Sequence, residues 1–149
     1  MQFLTDLIMA QNKESKLWNE LKNLNKNWHF TRVESSTING IPDVHCVVNK
    51  QIFWLELKAN THKNLGMSKW QINWHIKYQK AGGKVFILNR PLLQSDYEIW
   101  SVCREARVPK HVSSATNLGL LMELLASRIS WQQEMNAHAR SKPTSCRKN

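Results

Sequence analysis

Gly40-Ile41-Pro42-Asp43-Val44-His45-Cys46-Val47-Val48-Asn49-Lys50-Gln51-Ile52-Phe53-Trp54-Leu55-Glu56-Leu57-Lys58 is the stretch that decides the fold. Two apolar-rich segments flank Asn49-Lys50, which reads as the turn of a hairpin joining strands over 43–48 and 51–58. Alternate residues of a strand share a face, so Glu56 and Lys58 project the same way. The hairpin returns the start of one strand to the end of the other and brings Asp43 beside Glu56. Two carboxylates and one ammonium thus meet at one edge of the sheet.

Upstream, residues 11–24 read as an amphipathic helix with Leu17, Trp18, Leu21 and Leu24 on one side, 29–34 as a strand, and 35–41 as a polar loop. Downstream, 59–67 is a loop. Ser68 can cap a helix that runs through Trp70, Trp74 and Tyr78 and stops at Gly82-Gly83. A short buried strand follows over 84–88. The order helix, three strands, helix, strand predicts a single α/β domain with a mixed sheet flanked by helices. Residues 97–102 fit either a strand or the start of a helix. Residues 117–138 read as a long helix with a broad apolar stripe of Leu118, Leu121, Met122, Leu125 and Ile129. The domain is expected to span 1–138, leaving 139–149 as a basic flexible tail with Arg140, Lys142, Arg147 and Lys148.

The chain has 149 residues, enough for one domain with its own core, and a hydrophobic fraction of 42% argues against disorder. Lys and Arg total 21 against 11 Asp and Glu, a net charge of +10 that points to a polyanionic partner, most simply DNA. No segment offers the roughly 20 apolar residues that span a bilayer, and the opening Met1-Gln2-Phe3-Leu4-Thr5-Asp6 lacks the basic start of a signal peptide. The expected compartment is therefore the cytoplasm, with no membrane partner. Cys46, Cys103 and Cys146 are far apart and read as reduced thiols.

The charge is unevenly placed. From Leu57 to Ser95 there is no acidic residue, while Lys58, Lys63, Lys69, Lys77, Lys80, Lys84 and Arg90 all fall inside. A solvated face ordinarily mixes signs, so this run reads as a phosphate-facing surface, with Lys63, Lys69 and Lys77 as the expected DNA contacts.

Phosphodiester hydrolysis asks for the set that the hairpin assembles. Mg²⁺ takes oxygen ligands from one or two carboxylates and keeps several waters; Asp43, Glu56 and the main-chain carbonyl of Leu57 can supply them. The metal, with Mn²⁺ as a substitute, would acidify the attacking water and neutralise charge on the phosphate. Lys58 would position that water or steady the developing oxyanion. Charged strand ends are common, so Asp…Glu-x-Lys alone says little. Trp54 and Leu55 just before Glu56 indicate a buried strand, where unpaired charges are costly.

Gly40-x-Pro42-Asp43, a hairpin, and Glu56-Leu57-Lys58 together resemble the PD-(D/E)XK nuclease superfamily. Gln71 in the following helix, then Ala81-Gly82-Gly83 and an apolar strand, are similar to the small phage nucleases of the VRR-Nuc and Holliday-junction-resolvase-like branches. The resemblance covers roughly residues 14–88. It implies an αβββαβ restriction-endonuclease-like core, cleavage to 5′-phosphate and 3′-hydroxyl ends, Asp43 and Glu56 as metal ligands, Lys58 as the catalytic lysine and Gln71 as an accessory residue. Many relatives use a further glutamate, for which Glu14 and Glu34 are both candidates. Glu34 is favoured here because its strand end should adjoin Asp43.

The resulting expectation is a Mg²⁺-dependent endodeoxyribonuclease, selective for branched DNA. A site-specific enzyme of the homing or restriction type and a non-cleaving DNA-binding protein are the alternatives. Trp70, Trp74 and Tyr78, at helical spacing, are read as core packing in preference to base stacking, and His45 and His75 as structural. No phosphate-cradling Gly-rich loop or nucleophile elbow is present. Paired cuts at a four-way junction would need a two-fold homodimer, for which the wide stripe of the 117–138 helix offers a surface.

Overall fold

The computed structural model describes residues 1–91 and 96–141. Helix α1 (Gln2–Lys22) is followed by strands β1 (His29–Arg32), β2 (Val44–Val48) and β3 (Gln51–Lys58), helix α2 (Lys69–Lys80), strands β4 (Val85–Asn89), β5 (Tyr97–Cys103) and β6 (Val108–Ala115), and helix α3 (Leu118–Ser141). The six strands form one mixed sheet in the order β1-β2-β3-β4-β5-β6. Every neighbouring pair is antiparallel except β3 and β4, which run parallel because α2 carries the chain back across the sheet.

The hairpin forms as its sequence requires. Asn49 (φ 48) and Lys50 (φ 67) both take the left-handed region, the geometry whose twist matches flanking strands. Trp28 Nε1 donates to Asn49 Oδ1 at 3.0 Å and ties the turn to the chain entering β1. Register runs from Val48↔Gln51 to Val44↔Leu55, and one step further it sets Asp43 opposite Glu56.

Helices α1 and α3 cover one face of the sheet. Leu17, Leu21, Leu121, Met122, Leu125 and Ile129 pack there against Val44, Cys46, Val48, Phe53, Leu55 and Leu57. Each such side chain stabilises the fold by roughly 1.5–3 kcal/mol. Alternation sends Trp54, Glu56 and Lys58 to the other face, where α2 buries Ile72 and Ile76 against Ile87, Val102 and Leu65. Ser68 caps α2 with a full capping box, Ser68 and Gln71 each bonding the other's backbone N–H. The helix ends where Gly82 takes φ +95 and Gly83 N–H donates to Tyr78 O.

Several expectations change. Helix α1 starts at Gln2, and its first turns carry Phe3, Leu4 and Leu7 largely in solvent (93%, 67% and 59% exposed), which hid its length from an amphipathic reading. Asp43 lies just before β2, and residues 97–103 are a strand. β6 was not expected at all: Val108–Ala115 is polar and contains Pro109, which lacks an N–H and is tolerated because β6 is an edge. The α3 stripe that sequence reading offered to a second chain is spent on the core, with Leu121, Met122 and Ile129 fully buried. A separate set, Leu120, Leu124, Trp131 and Met135, is exposed. Residues 139–141 continue α3, and the rest of the expected 139–149 tail, with Cys146, lies outside the described residues. Cys46 and Cys103 are free thiols. Among the described residues no helix is long and apolar enough to cross a membrane.

Candidate active site

Asp43, Glu56, Lys58 and Gln71 converge at the C-terminal end of β3. Asp43 Oδ2 accepts from Leu57 N–H at 2.8 Å, which fixes the carboxylate against the strand edge beyond the last β2 partner. A residue's N–H and C=O leave a strand on the same side, so the Leu57 carbonyl faces Asp43 as well. Glu56 is 2% exposed. Its Oε1 accepts from Gln71 Nε2 and lies 3.6 Å from Lys58 Nζ. Lys58 Nζ also donates to Gln71 Oε1 at 3.3 Å and to Gly66 O at 3.4 Å. The amide orientation of Gln71 is fixed by chemistry: Ser68 N–H and the Lys58 ammonium both need its oxygen, leaving the NH₂ for Glu56.

Glu56 Oε2 is buried with no hydrogen-bond donor. The Asp43 carboxyl beside it is close enough to share a proton, but two ionised carboxylates have nothing to donate. Burial pushes Glu56 well above the usual carboxylate range, and the Asp43 and Glu14 charges add to this while Lys58 opposes it. Burial likewise raises Asp43, against the Leu57 N–H, Lys58 and Arg32. A desolvated acid pair of this kind is stable with a proton or a cation between its oxygens. The orphaned oxygen, the Asp43 carboxylate and the Leu57 carbonyl are hard oxygen donors, and they suit Mg²⁺.

The two candidates for a further acid lie in different surroundings. Glu34 is 85% exposed in its side chain and turns to Arg32 at 3.8 Å. It lines the outer groove and does not join the acid pair. Glu14, one turn before the buried Leu17 on α1, is raised by burial and feels Lys58, Asp43 and Arg32, and its charge in turn reaches Glu56. Adjacency along a strand pointed to Glu34; the approach of α1 to the strand ends is a tertiary fact that only the i, i+3 step from Glu14 to Leu17 could have signalled.

The basic residues spread more widely. Lys69 opens α2 beside the site, with its ammonium 5.0 Å from the Trp70 ring centroid. Lys77 sits two turns further along α2, and Lys63 lies in the loop after β3; all three are exposed. Trp74 stacks on Tyr78 (4.7 Å, 21°) and meets Trp54 edge-on, as packing predicts, whereas Trp70 is 52% exposed. His45 packs edge-on against Trp54. His75 is fully buried, and neither ring nitrogen has a partner.

Gly40 takes φ +81, and a Cβ there would collide with the Trp70 carbonyl, so the loop before Asp43 lies directly on the start of α2. Between them runs a groove of about 460 Å³ whose lining includes Asp43 and Gln71. No protein-family model matches the chain, and no curated protein matches it.

Proposed function

We propose that this protein is a Mg²⁺-dependent DNA endonuclease whose site is Asp43, Glu56, Lys58 and Gln71, with Glu14 as the third acid. The observation that carries the reading is the pair of half-buried Asp43 and fully buried Glu56, with a Glu56 oxygen that has no donor and a lysine at its side. Such a pair is costly to hold for structure alone, and it opens onto a groove in a chain of net charge +10. The protein resembles the PD-(D/E)XK nucleases in the residues that form the pair.

Asp43, Glu56 and the Leu57 carbonyl would hold Mg²⁺, or Mn²⁺ in its place. When bound, the metal supplies Lewis acidity to the scissile phosphate and its attacking water. Lys58 holds its ammonium 3.6 Å from Glu56 Oε1, where it would orient the water and offset charge growing on the phosphate. Gln71 keeps Glu56 Oε1 and Lys58 Nζ in place through one amide group. Lys63, Lys69 and Lys77 contribute phosphate contacts, which position DNA without reading its sequence.

Branched DNA is the favoured substrate within this reading. A four-way junction takes two matched cuts, and the exposed Leu120, Leu124, Trp131 and Met135 face of α3 is the apolar surface on which two copies can pair.

The test is nicking of supercoiled plasmid and cleavage of linear duplex, flap and four-way junction. Mg²⁺ and Mn²⁺ should support cutting, Ca²⁺ binding with little turnover, and EDTA should abolish cutting. Asp43→Asn and Lys58→Ala should remove cutting and keep binding. Cutting at the wild-type rate by either variant refutes the assigned site, and Mg²⁺-independent binding with no cutting by the wild type makes this a non-cleaving DNA-binding protein.

A further inference from the structure

We infer that the groove between Trp70 and Ile38 holds an unpaired nucleobase of the DNA strand whose phosphate lies at Asp43. This deepens the endonuclease reading and rests on it. Two of the three aromatics on α2 are consumed by packing, since Trp74 and Tyr78 stack on each other. Trp70 is not: it stands 52% exposed on one wall of the groove, and Ile38 stands 53% exposed among the residues of the loop before Asp43.

Both walls are pinned. Ser35 Oγ accepts from the backbone N–H of Thr37 at 3.3 Å and of Ile38 at 3.0 Å, which sets the turn that presents Ile38. The Gly40 backbone then rests on the Trp70 carbonyl. The backbone segments that carry the aromatic and the aliphatic side chain are thus held at fixed places, which limits the ordering a flat ligand beside them must impose.

Charge says what the flat ligand is attached to. The Lys69 ammonium lies over the Trp70 ring, and Arg32 lines the same groove. The groove also carries Asp43 and Glu34, the latter paired with Arg32 at 3.8 Å, so the cation set beside the exposed ring is Lys69. A cation beside an exposed aromatic suits a base on an anionic backbone, as where single strands stack on protein aromatics. An intact duplex keeps both faces of each base covered by its neighbours, so only an unpaired or extruded base can enter. Asp43 and Gln71 line the same groove as Trp70 and Ile38, which sets that base next to the bond to be cut. Selectivity for branched DNA then follows from the groove, because a branch or bulge provides such a base without unstacking a duplex.

The probe is 2-aminopurine, placed either as a single-base bulge or fully paired in an otherwise identical duplex. The full chain carrying Asp43→Asn binds both without cutting. Bulged DNA should bind more tightly, with its emission quenched as the probe stacks. Trp70→Ala added to Asp43→Asn should lower affinity for bulged DNA by about 5- to 150-fold, the range of one lost stacking contact. It should leave paired DNA within twofold, and Trp70→Phe should restore most of the loss. Equal loss on both DNAs, or none on either, overturns the base site and leaves the nuclease reading standing. Failure of the Asp43→Asn protein, still folded by thermal melting, to bind either DNA overturns both.

Discussion

Gln71 Nε2 donates to Glu56 Oε1 while the same side chain closes the capping box of α2. One residue therefore ties the start of a helix to the most buried acid of the site. Gln71→Ala should lower stability by roughly 1 kcal/mol through lost hydrogen bonds and slow cleavage by about 10- to 100-fold through the freed carboxylate. Gln71→Glu separates the two effects: it keeps the box but sets a like charge against Glu56. Its melting temperature should stay near wild type while its cleavage falls. Wild-type cleavage by Gln71→Glu would show that Glu56 needs no orientation.

Glu14 and Glu34 are distinguished by their surroundings. Glu14→Gln, which removes a charge felt by Glu56 and Asp43, should weaken Mg²⁺ binding by about 10- to 100-fold. Glu34→Gln, on an exposed side chain paired only with Arg32 among its recorded contacts, should leave it within twofold. Mg²⁺ titrations followed by thermal shift measure both, and the reverse ranking would return the third-acid role to Glu34.

The metal-free protein should lose stability as pH rises. Glu56 is raised in the folded chain, so folding favours its protonated form. That contribution is complete below 4.5, the value in the unfolded chain, and is lost as pH climbs through the higher folded value. Mg²⁺ takes over the proton's place, so the melting-temperature gain on adding it should grow with pH. Glu56→Gln should flatten the decline seen in EDTA. A gain from Mg²⁺ that is independent of pH would place the cation away from Glu56.

His75 gives the opposite slope. Burial, with help from Lys58, holds its pKa down from 6.5 to about 4. Folding favours the neutral ring, so this contribution is present above pH 6.5 and is lost as pH falls through 4; the difference corresponds to roughly 3 kcal/mol. Both ring nitrogens are unpartnered. His75→Leu should therefore be no less stable at pH 7 and clearly more stable than wild type near pH 4. Unfolding curves at the two pH values decide it, and a destabilised variant at pH 7 would reveal a hydrogen bond to His75.

Salt dependence reports on the basic face. Each of Lys63→Ala, Lys69→Ala and Lys77→Ala should reduce the slope of log affinity against log salt by about 0.9 on duplex DNA. Lys77 lies farthest along α2 from Gln71, so an unchanged slope for Lys77→Ala alone would confine the DNA to the Lys69 end, and an unchanged slope for all three would move it to another face.

The parts of the fold that were legible in the sequence are those encoded locally. Ser68 and Gln71 cap α2 from three residues apart, Asn49-Lys50 turns the hairpin, and the alternation around Trp54 places Glu56 and Lys58 on one face. β6 was illegible because an edge strand buries little and so needs no apolar alternation: Lys110, His111, Ser113 and Ser114 carry no strand signal. The burial of Glu14 near Asp43 and Lys58 was illegible because it depends on how α1 lies against the sheet. Trp70 was grouped with Trp74 and Tyr78 by spacing alone, and only the exposure of its ring sets it apart.

An open sheet has two unpaired rims, and each is a template on which another chain can add a strand. β1 limits one rim to four residues, and β6 places Pro109 and then Lys110 along the other. A missing amide donor and a charge interrupt the ladder that an incoming strand would have to complete. Pro109 thus acts as a guard against fibril growth, the more useful in a chain whose first helix leaves Phe3 and Leu4 uncovered. Pro109→Val would improve the strand and remove the guard, trading a firmer edge for a stickier one.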